Sequence, residues 1–409
     1  MAKVLIAQNN VSFTYGTSVT AYSIIPGAQE AGAETTEANA QIPFSVAGTF
    51  SRLYVRVAAN SITATTTRRL RVNGANGNNV VSIGSSATGE FTDASNADVI
   101  LADDDVNYQI VTGATGTTIE ISIASIIFGA TTNTLMKWGG TGGTGGTAFT
   151  SVSTTTFHRL SGGVTTTETT EADAQSQINS AGTWQHLFTY ISANTRTDTF
   201  TIKSRKNAAD GNQVLSIATT TTGAFEDTSN TDSIIVNDLL NYSLATDIGI
   251  NSITVQHVSS EYLTTNNTFT SVLGERSGVN MASDVDTLNP IGGSIRRESI
   301  AESLIATDTN LNANISNLWL YASANTLNGN TPFTLRRNQA DTSVTISITA
   351  STTGAFEDTT NTAVFIPTDE INILGDDNST AGNMTYKNIS ILFTVTSGFL
   401  SKLALLGAG

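Results

Sequence analysis

Apolar and polar residues alternate along this chain with the two-residue period of half-buried strands. Leu53-Tyr54-Val55-Arg56-Val57 and Arg69-Leu70-Arg71-Val72 both follow it. The second run meets Asn73-Gly74-Ala75-Asn76-Gly77-Asn78, and Val80-Val81-Ser82-Ile83 follows. Asn-Gly supplies the positive φ angles of a tight hairpin, so the two runs are predicted to pair. Phe200-Thr201-Ile202-Lys203 stands in the same relation to Asn207-Ala208-Ala209-Asp210-Gly211-Asn212. Ile119-Glu120-Ile121-Ser122-Ile123, Ile253-Thr254-Val255 and Ile389-Ser390-Ile391-Leu392-Phe393 read as closing strands. No long stretch has a 3.6-residue period with helix caps. Turn signals recur roughly every 8–12 residues, as in β-sandwiches and barrels. About eight strands in about 120 residues suits a jelly roll best.

The strand pattern occurs three times. Gly89-Glu90-Phe91-Thr92-Asp93-Ala94-Ser95-Asn96 returns at Gly223, Phe225, Asp227 and Asn230, and again at Gly354, Phe356, Asp358 and Asn361. The offsets are 134 and 131 residues. Arg71, Arg205 and Arg336 keep those offsets, as do Asn73, Asn207 and Asn338, and Asn107, Asn241 and Asn372. Upstream, Glu34-Thr35-Thr36-Glu37 matches Glu168-Thr169-Thr170-Glu171, and the third copy keeps Glu302. An insertion in that copy is expected near Asp376 to Gly382. A period this long is the size of a domain, not of a solenoid unit.

The chain is therefore expected to be all-β, with three tandem jelly-roll-like β-sandwich domains. An N-terminal strand or arm at 1–10 precedes repeat 1 at 11–128. A Gly/Thr-rich linker at 129–147 leads to repeat 2 at 148–258. A second linker at 259–278 leads to repeat 3 at 279–396, and 397–409 is an apolar tail.

Composition narrows the class. Only 13% of the 409 residues are charged, and the net charge is −15. An acidic surface repels phosphate backbones, so no nucleic-acid partner is expected. The absence of cysteine removes disulfides and thiol chemistry. The apolar run in Lys3-Val4-Leu5-Ile6-Ala7 is too short for a signal-peptide core, so no signal peptide is recognisable, and no run reaches the length of a membrane span.

Candidate chemistry is sparse. Asp93, Asn96 and Asp98, with Asp227, Asn230 and Asp232, cluster the oxygen ligands that calcium prefers. Ala363 replaces the last acid in copy three, and Asp and Asn also cap turns, which is the favoured reading. Gly140-Thr141-Gly142-Gly143-Thr144-Gly145 fits G-x-G-x-x-G formally but neither ends a βαβ strand nor opens a helix. His158, His186 and His257 fall only in copy two and lack zinc-site spacing. Arg71, Arg205 and Arg336 suit either a neighbouring domain or a carboxylate of their own copy. Seven N-glycosylation sequons begin at Asn10, Asn241, Asn266, Asn314, Asn378, Asn383 and Asn388, near chance for so much Asn, Ser and Thr. No catalytic set and no cofactor are expected.

Both ends carry apolar residues outside the expected repeats: Val4, Leu5 and Ile6, and Phe399, Leu400, Leu403, Leu405 and Leu406. An orphan strand can complete a neighbour's sheet, and head-to-tail use of it makes a fibre.

Tandem Thr/Asn/Gly-rich jelly rolls ending in the Gly-(Ala/Glu)-Phe-x-Asp turn resemble structural proteins of bacteriophage virions and environmental extracellular filaments. The resemblance covers all three copies and rests on repeat organisation. It implies a non-enzymatic subunit of a fibre, filament, tail or capsid surface. Its partners would be itself or other virion or filament proteins. The location implied is a virion or an extracellular filament. The alternative is a carbohydrate-binding adhesin, for which Tyr54, Tyr190 and Tyr321 are the candidate glycan platforms.

Overall fold

The computed structural model describes residues 3–10, 14–29, 34–131, 133–141, 146–150, 153–163, 168–274, 281–294 and 301–397. The protein is all-β, built from six sheets that pair into three sandwiches. In the first domain the main strands are β1 (Lys3–Asn10), β2 (Thr20–Ser23), β3 (Gly48–Ile62), β4 (Thr66–Val72), β5 (Ala75–Ile83), β6 (Gly89–Ile100), β7 (Asp104–Val111) and β8 (Gly116–Ala130). One sheet has the order β1-β8-β3-β6 and the other β2-β7-β4-β5. That order, with first strand beside last, is the jelly roll.

The second domain repeats it with β9 (Thr134–Thr141), β10 (Thr155–His158), β11 (Gly182–Asn194), β12 (Phe200–Lys206), β13 (Ala209–Ile217), β14 (Gly223–Ile234), β15 (Asp238–Thr246) and β16 (Ile253–Thr264). The third uses β17 (Thr268–Gly274), β18 (Thr287–Asn289), β19 (Asn312–Asn325), β20 (Thr331–Arg337), β21 (Ala340–Ile348), β22 (Gly354–Phe365), β23 (Glu370–Gly375) and β24 (Asn383–Ser397).

This topology moves the expected boundaries. The supposed N-terminal arm is β1, paired antiparallel with β8 from Lys3↔Gly129 to Asn9↔Ile123. Residues 134–141 of the supposed first linker are β9, and the supposed second linker holds the end of β16 and all of β17. A jelly roll cannot close without a first strand against its last, so each apparent connector supplies one. Nor is an insertion needed at 376–382. Asn194 faces Ile253 and Asn325 faces Met384, so the 131-residue offset runs straight through.

The repeated residues hold each sandwich together. Asp93 lies on β6, an edge of one sheet, and accepts the Val80 N–H of β5, an edge of the other, at 2.9 Å. It also accepts the N–H groups of Ser95 and Asn96. Asp227 takes Val214 N–H at 2.9 Å and Asp358 takes Thr345 N–H at 3.0 Å in the same way. Arg71 grips Glu37 with Nε and Nη2 at 2.7 and 2.8 Å, and Arg205–Glu171 and Arg336–Glu302 repeat the fork. The arginines therefore pair within their own copy, tying the hairpin to a short 3-10 turn. Asn73 bridges the hairpin to β7, donating to Asp104 at 2.7 Å and accepting Asp105 N–H at 2.9 Å.

Candidate functional site: three seams around an axis

Strand burial departs from simple alternation where a third layer is present. Along β8 the residues from Ile121 to Phe128 are buried on both faces. Along β16 the run from Val255 to Tyr262 is also buried, although Gln256, His257, Ser259, Ser260 and Glu261 are polar. The layer beyond is another domain.

Each domain docks on a different neighbour. The link is a bulge on the third strand, where Arg52, His186 and Asn317 hold equivalent positions with φ of 59°, 53° and 50°. Opposite it sits the loop residue Ser45, Asn179 or Asn310. Gln185 beside the second bulge donates to Ser45 Oγ of the first domain at 3.5 Å. Asn179 of the second domain donates to Asn317 O of the third at 2.9 Å. Arg52 of the first domain donates to Asn310 Oδ1 of the third at 2.6 Å. Second on first, third on second and first on third make a closed pseudo-threefold ring from one chain.

The inner edges repeat the cycle. Short strands Gly27–Gln29, Gly162–Gly163 and Gly293–Ser294 extend the first sheets of the three domains and touch one another. Gly27 has φ +88°, and a Cβ there would lie 2.3 Å from the Gly139 carbonyl oxygen of the next domain. A Cβ on Gly274 would lie 2.1 Å from Ser161 O. Ala7 of the first domain packs near Gly292 of the third, closing the circle. Gly139 and Gly140 of the supposed first linker supply this close approach. Buried apolar residues of all three domains form one contiguous cluster.

The seams share geometry but not chemistry. Between domains one and two, Lys137 and Glu261 form a fully buried pair at 3.2 Å. Glu261 accepts Ser45 N–H at 2.9 Å and also the Ser45 hydroxyl, and Lys137 donates to Pro43 O at 2.6 Å. Burial alone would raise the Glu261 carboxyl, but Lys137 and Ser45 outweigh it and hold it below its ordinary value. Between domains two and three the contacts are mostly neutral. Asn179 N–H donates to Thr270 Oγ1, and Asn388 Nδ2 donates to the carbonyls of Asp173 and Gln175 at 2.9 and 2.8 Å. Lys387 adds a bond to Glu168 at 3.0 Å. Between domains three and one, Arg56 reaches Glu370, Ser303 O and its own domain's Glu90.

The expected site residues sort as follows. Val4, Leu5 and Ile6 are buried on β1, which is paired with β8 of the same domain. That removes them as a free strand for a neighbour. Phe399, Leu400, Leu403, Leu405 and Leu406 lie outside the described residues. Asp93 and Asp227 each accept a cross-sheet N–H and the bonds of Asn96 or Asn230. Asp98 takes the N–H groups of Asn78 and Asn79, and Asp232 takes Asn212 N–H and the Ser204 hydroxyl. These carboxylates face N–H and O–H donors, which is the arrangement of a turn latch. Among the described residues no three His, Cys, Asp or Glu side chains group as a metal set.

The histidines fall apart in space. His158 is buried in the second sandwich, where burial and then Arg159 push it down to about 3. His257 sits at the first seam against the Gln41 backbone, lowered to about 3 by burial and then Lys137. His186 bonds Glu226 at 2.7 Å. Tyr54 is buried, and Tyr190 and Tyr321 are half-buried. The exposed large apolar side chains among the described residues are all aliphatic. Three of them, Leu101, Ile235 and Ile366, occupy the equivalent turn of each domain. Of the sequon residues, Asn241 and Asn388 are fully buried, whereas Asn266, Asn378 and Asn383 are exposed. Gly140 and Thr141 are part of antiparallel strand β9.

Ser45, Lys137, Asn179, Glu261, Asn310 and Asn388 were not foreseen as a site. Their one sequence signal is the non-alternating run in the last strand of each copy. No protein-family model matches this chain, and no curated protein matches it.

Proposed function

We propose that the chain is a non-enzymatic structural subunit, a ring of three jelly rolls in one polypeptide that takes its place in a fibre, filament or virion surface. The observation that carries this reading is the cyclic repetition of one docking contact through Ser45, Asn179 and Asn310. The residues repeated three times have structural roles as latches, forks and turns. None of the triplicated sets resembles an acid–base pair. Because β1 is already used within its own domain, growth by donation of that strand is disfavoured. Contacts between rings are assigned instead to the outer surface, where Leu101, Ile235 and Ile366 offer further copies of this chain three like points.

The test is negative-stain microscopy with light scattering at rising concentration, on the wild type and on Leu101→Asp/Ile235→Asp/Ile366→Asp. Ordered assemblies in the wild type that are lost in the folded triple variant support the reading. Discrete three-lobed particles at every concentration would overturn self-assembly.

A further inference from the structure

Four arginines among the described residues are buried: Arg56, Arg68, Arg159 and Arg196. Three have a carboxylate partner: Arg56 with Glu90 and Glu370, Arg159 with Glu168, and Arg196 with Asp198. Arg68 is 1% exposed and has none among the described residues. It stands on β4 with its guanidinium 4.8 Å from the centre of the Tyr108 ring. Nη2 donates to Gln8 Oε1 at 2.9 Å and to Ser23 Oγ at 2.7 Å. Gln8 is oriented for this, since its amide nitrogen donates to Ile24 O at 2.7 Å and its oxygen also accepts the Ser23 hydroxyl. The Tyr15 hydroxyl is a further neutral partner, with a side-chain hydrogen bond to Arg68. These partners are neutral. Among the described residues Nε, Nη1 and the Tyr108 hydroxyl have no hydrogen-bond partner.

A guanidinium does not shed its proton in proteins. A buried, uncompensated charge is strongly unfavourable even after relaxation. The cost is not imposed by the fold. The equivalent positions, by strand pairing, are Ile202 between Leu215 and Leu244, and Phe333 between Ile346 and Gly375. We infer that the first domain holds a small monovalent anion of halide type inside its sandwich. Arg68 Nε and Nη1 and the Tyr108 hydroxyl are its donors. A halide needs only such donors and no acceptor. A carboxylate-bearing or phosphate ligand would call for more donors than Nε, Nη1 and one hydroxyl.

The experiment is diffraction from the full chain grown in sodium bromide, with anomalous maps, and thermal unfolding in chloride or bromide against gluconate at equal ionic strength. The expected result is a bromide peak within hydrogen-bonding distance of Arg68 and a higher melting temperature in halide. That halide shift is lost in Arg68→Ile, which copies the second domain. If Arg68→Ile does not fold, the bromide map alone decides. A map without a peak beside Arg68, or an equal halide shift in a folded Arg68→Ile, overturns the inference.

Discussion

Arg52 Nε lies 2.6 Å from Asn310 Oδ1 across 258 residues of sequence, so the first domain closes on the third. The other two seams join domains that are also adjacent along the chain. This one joins domains separated by a whole repeat, so non-covalent contacts alone hold it.

Arg56 is the strongest candidate for that work, because one guanidinium reaches a carboxylate and a carbonyl of the third domain. Its side chain is 5% exposed and that of Glu370 is 21% exposed. Arg56→Ala leaves Glu370 without its cation, at a cost of about 2 kcal/mol after discounting for partial exposure. Hydrogen exchange should then quicken around 301–310 and 370 while strands β9 to β16 stay protected. Uniform quickening of all three domains would refute a role specific to this seam.

The cross-sheet latch predicts acid sensitivity. Burial would raise the Asp93, Asp227 and Asp358 carboxyls, but the N–H groups they accept outweigh it and hold each below its ordinary value. A carboxyl lowered in the folded state contributes stability above its unfolded pKa, lost as pH falls through the folded one. Stability should therefore decline below about pH 4. Asp227→Ala strands Val214 N–H and should cost about 2–3 kcal/mol by denaturant unfolding, with part of the acid dependence removed.

His186 predicts the opposite sign at the first seam. Burial lowers its affinity for a proton, but Glu226 and Glu261 outweigh that and raise it overall. A raised pKa means a contribution fully present below the unfolded value near 6.5, and lost as pH rises through the folded one. Protection of 41–46 and 185–187 from hydrogen exchange, corrected for intrinsic rate, should fall from pH 6 to pH 8. Glu226→Gln should shift the His186 titration downward by NMR. An unchanged titration would show that Glu226 does not set it.

The hairpin turns predict small gains. Ala208 has φ +62° and Gln339 φ +63°, where the first copy has Gly74 at +72°. Left-handed backbone costs a residue with a Cβ about 1 kcal/mol, and the greater unfolded freedom of glycine returns roughly half. Ala208→Gly and Gln339→Gly should each stabilise by about 0.5 kcal/mol, and Gly74→Ala should destabilise by about 0.5 kcal/mol. Chemical denaturation of the three variants measures all of these.

The strands, the hairpins and the threefold copying were determined by the sequence alone, because side-chain alternation and Asn-Gly turns act over a few residues. The latch aspartates and the forked arginines were visible as repeats, but not what they bond, since Asp93 meets Val80 only after two sheets have stacked. Tertiary structure decided the rest. Residues 3–10 and 134–141 look like an arm and a linker until a last strand lies beside them. Lys137 and Glu261 face each other at a position where the first domain pairs Leu5 with Ile127. Which domain docks on which is a property of whole surfaces meeting, so closure into a ring is written in no local pattern.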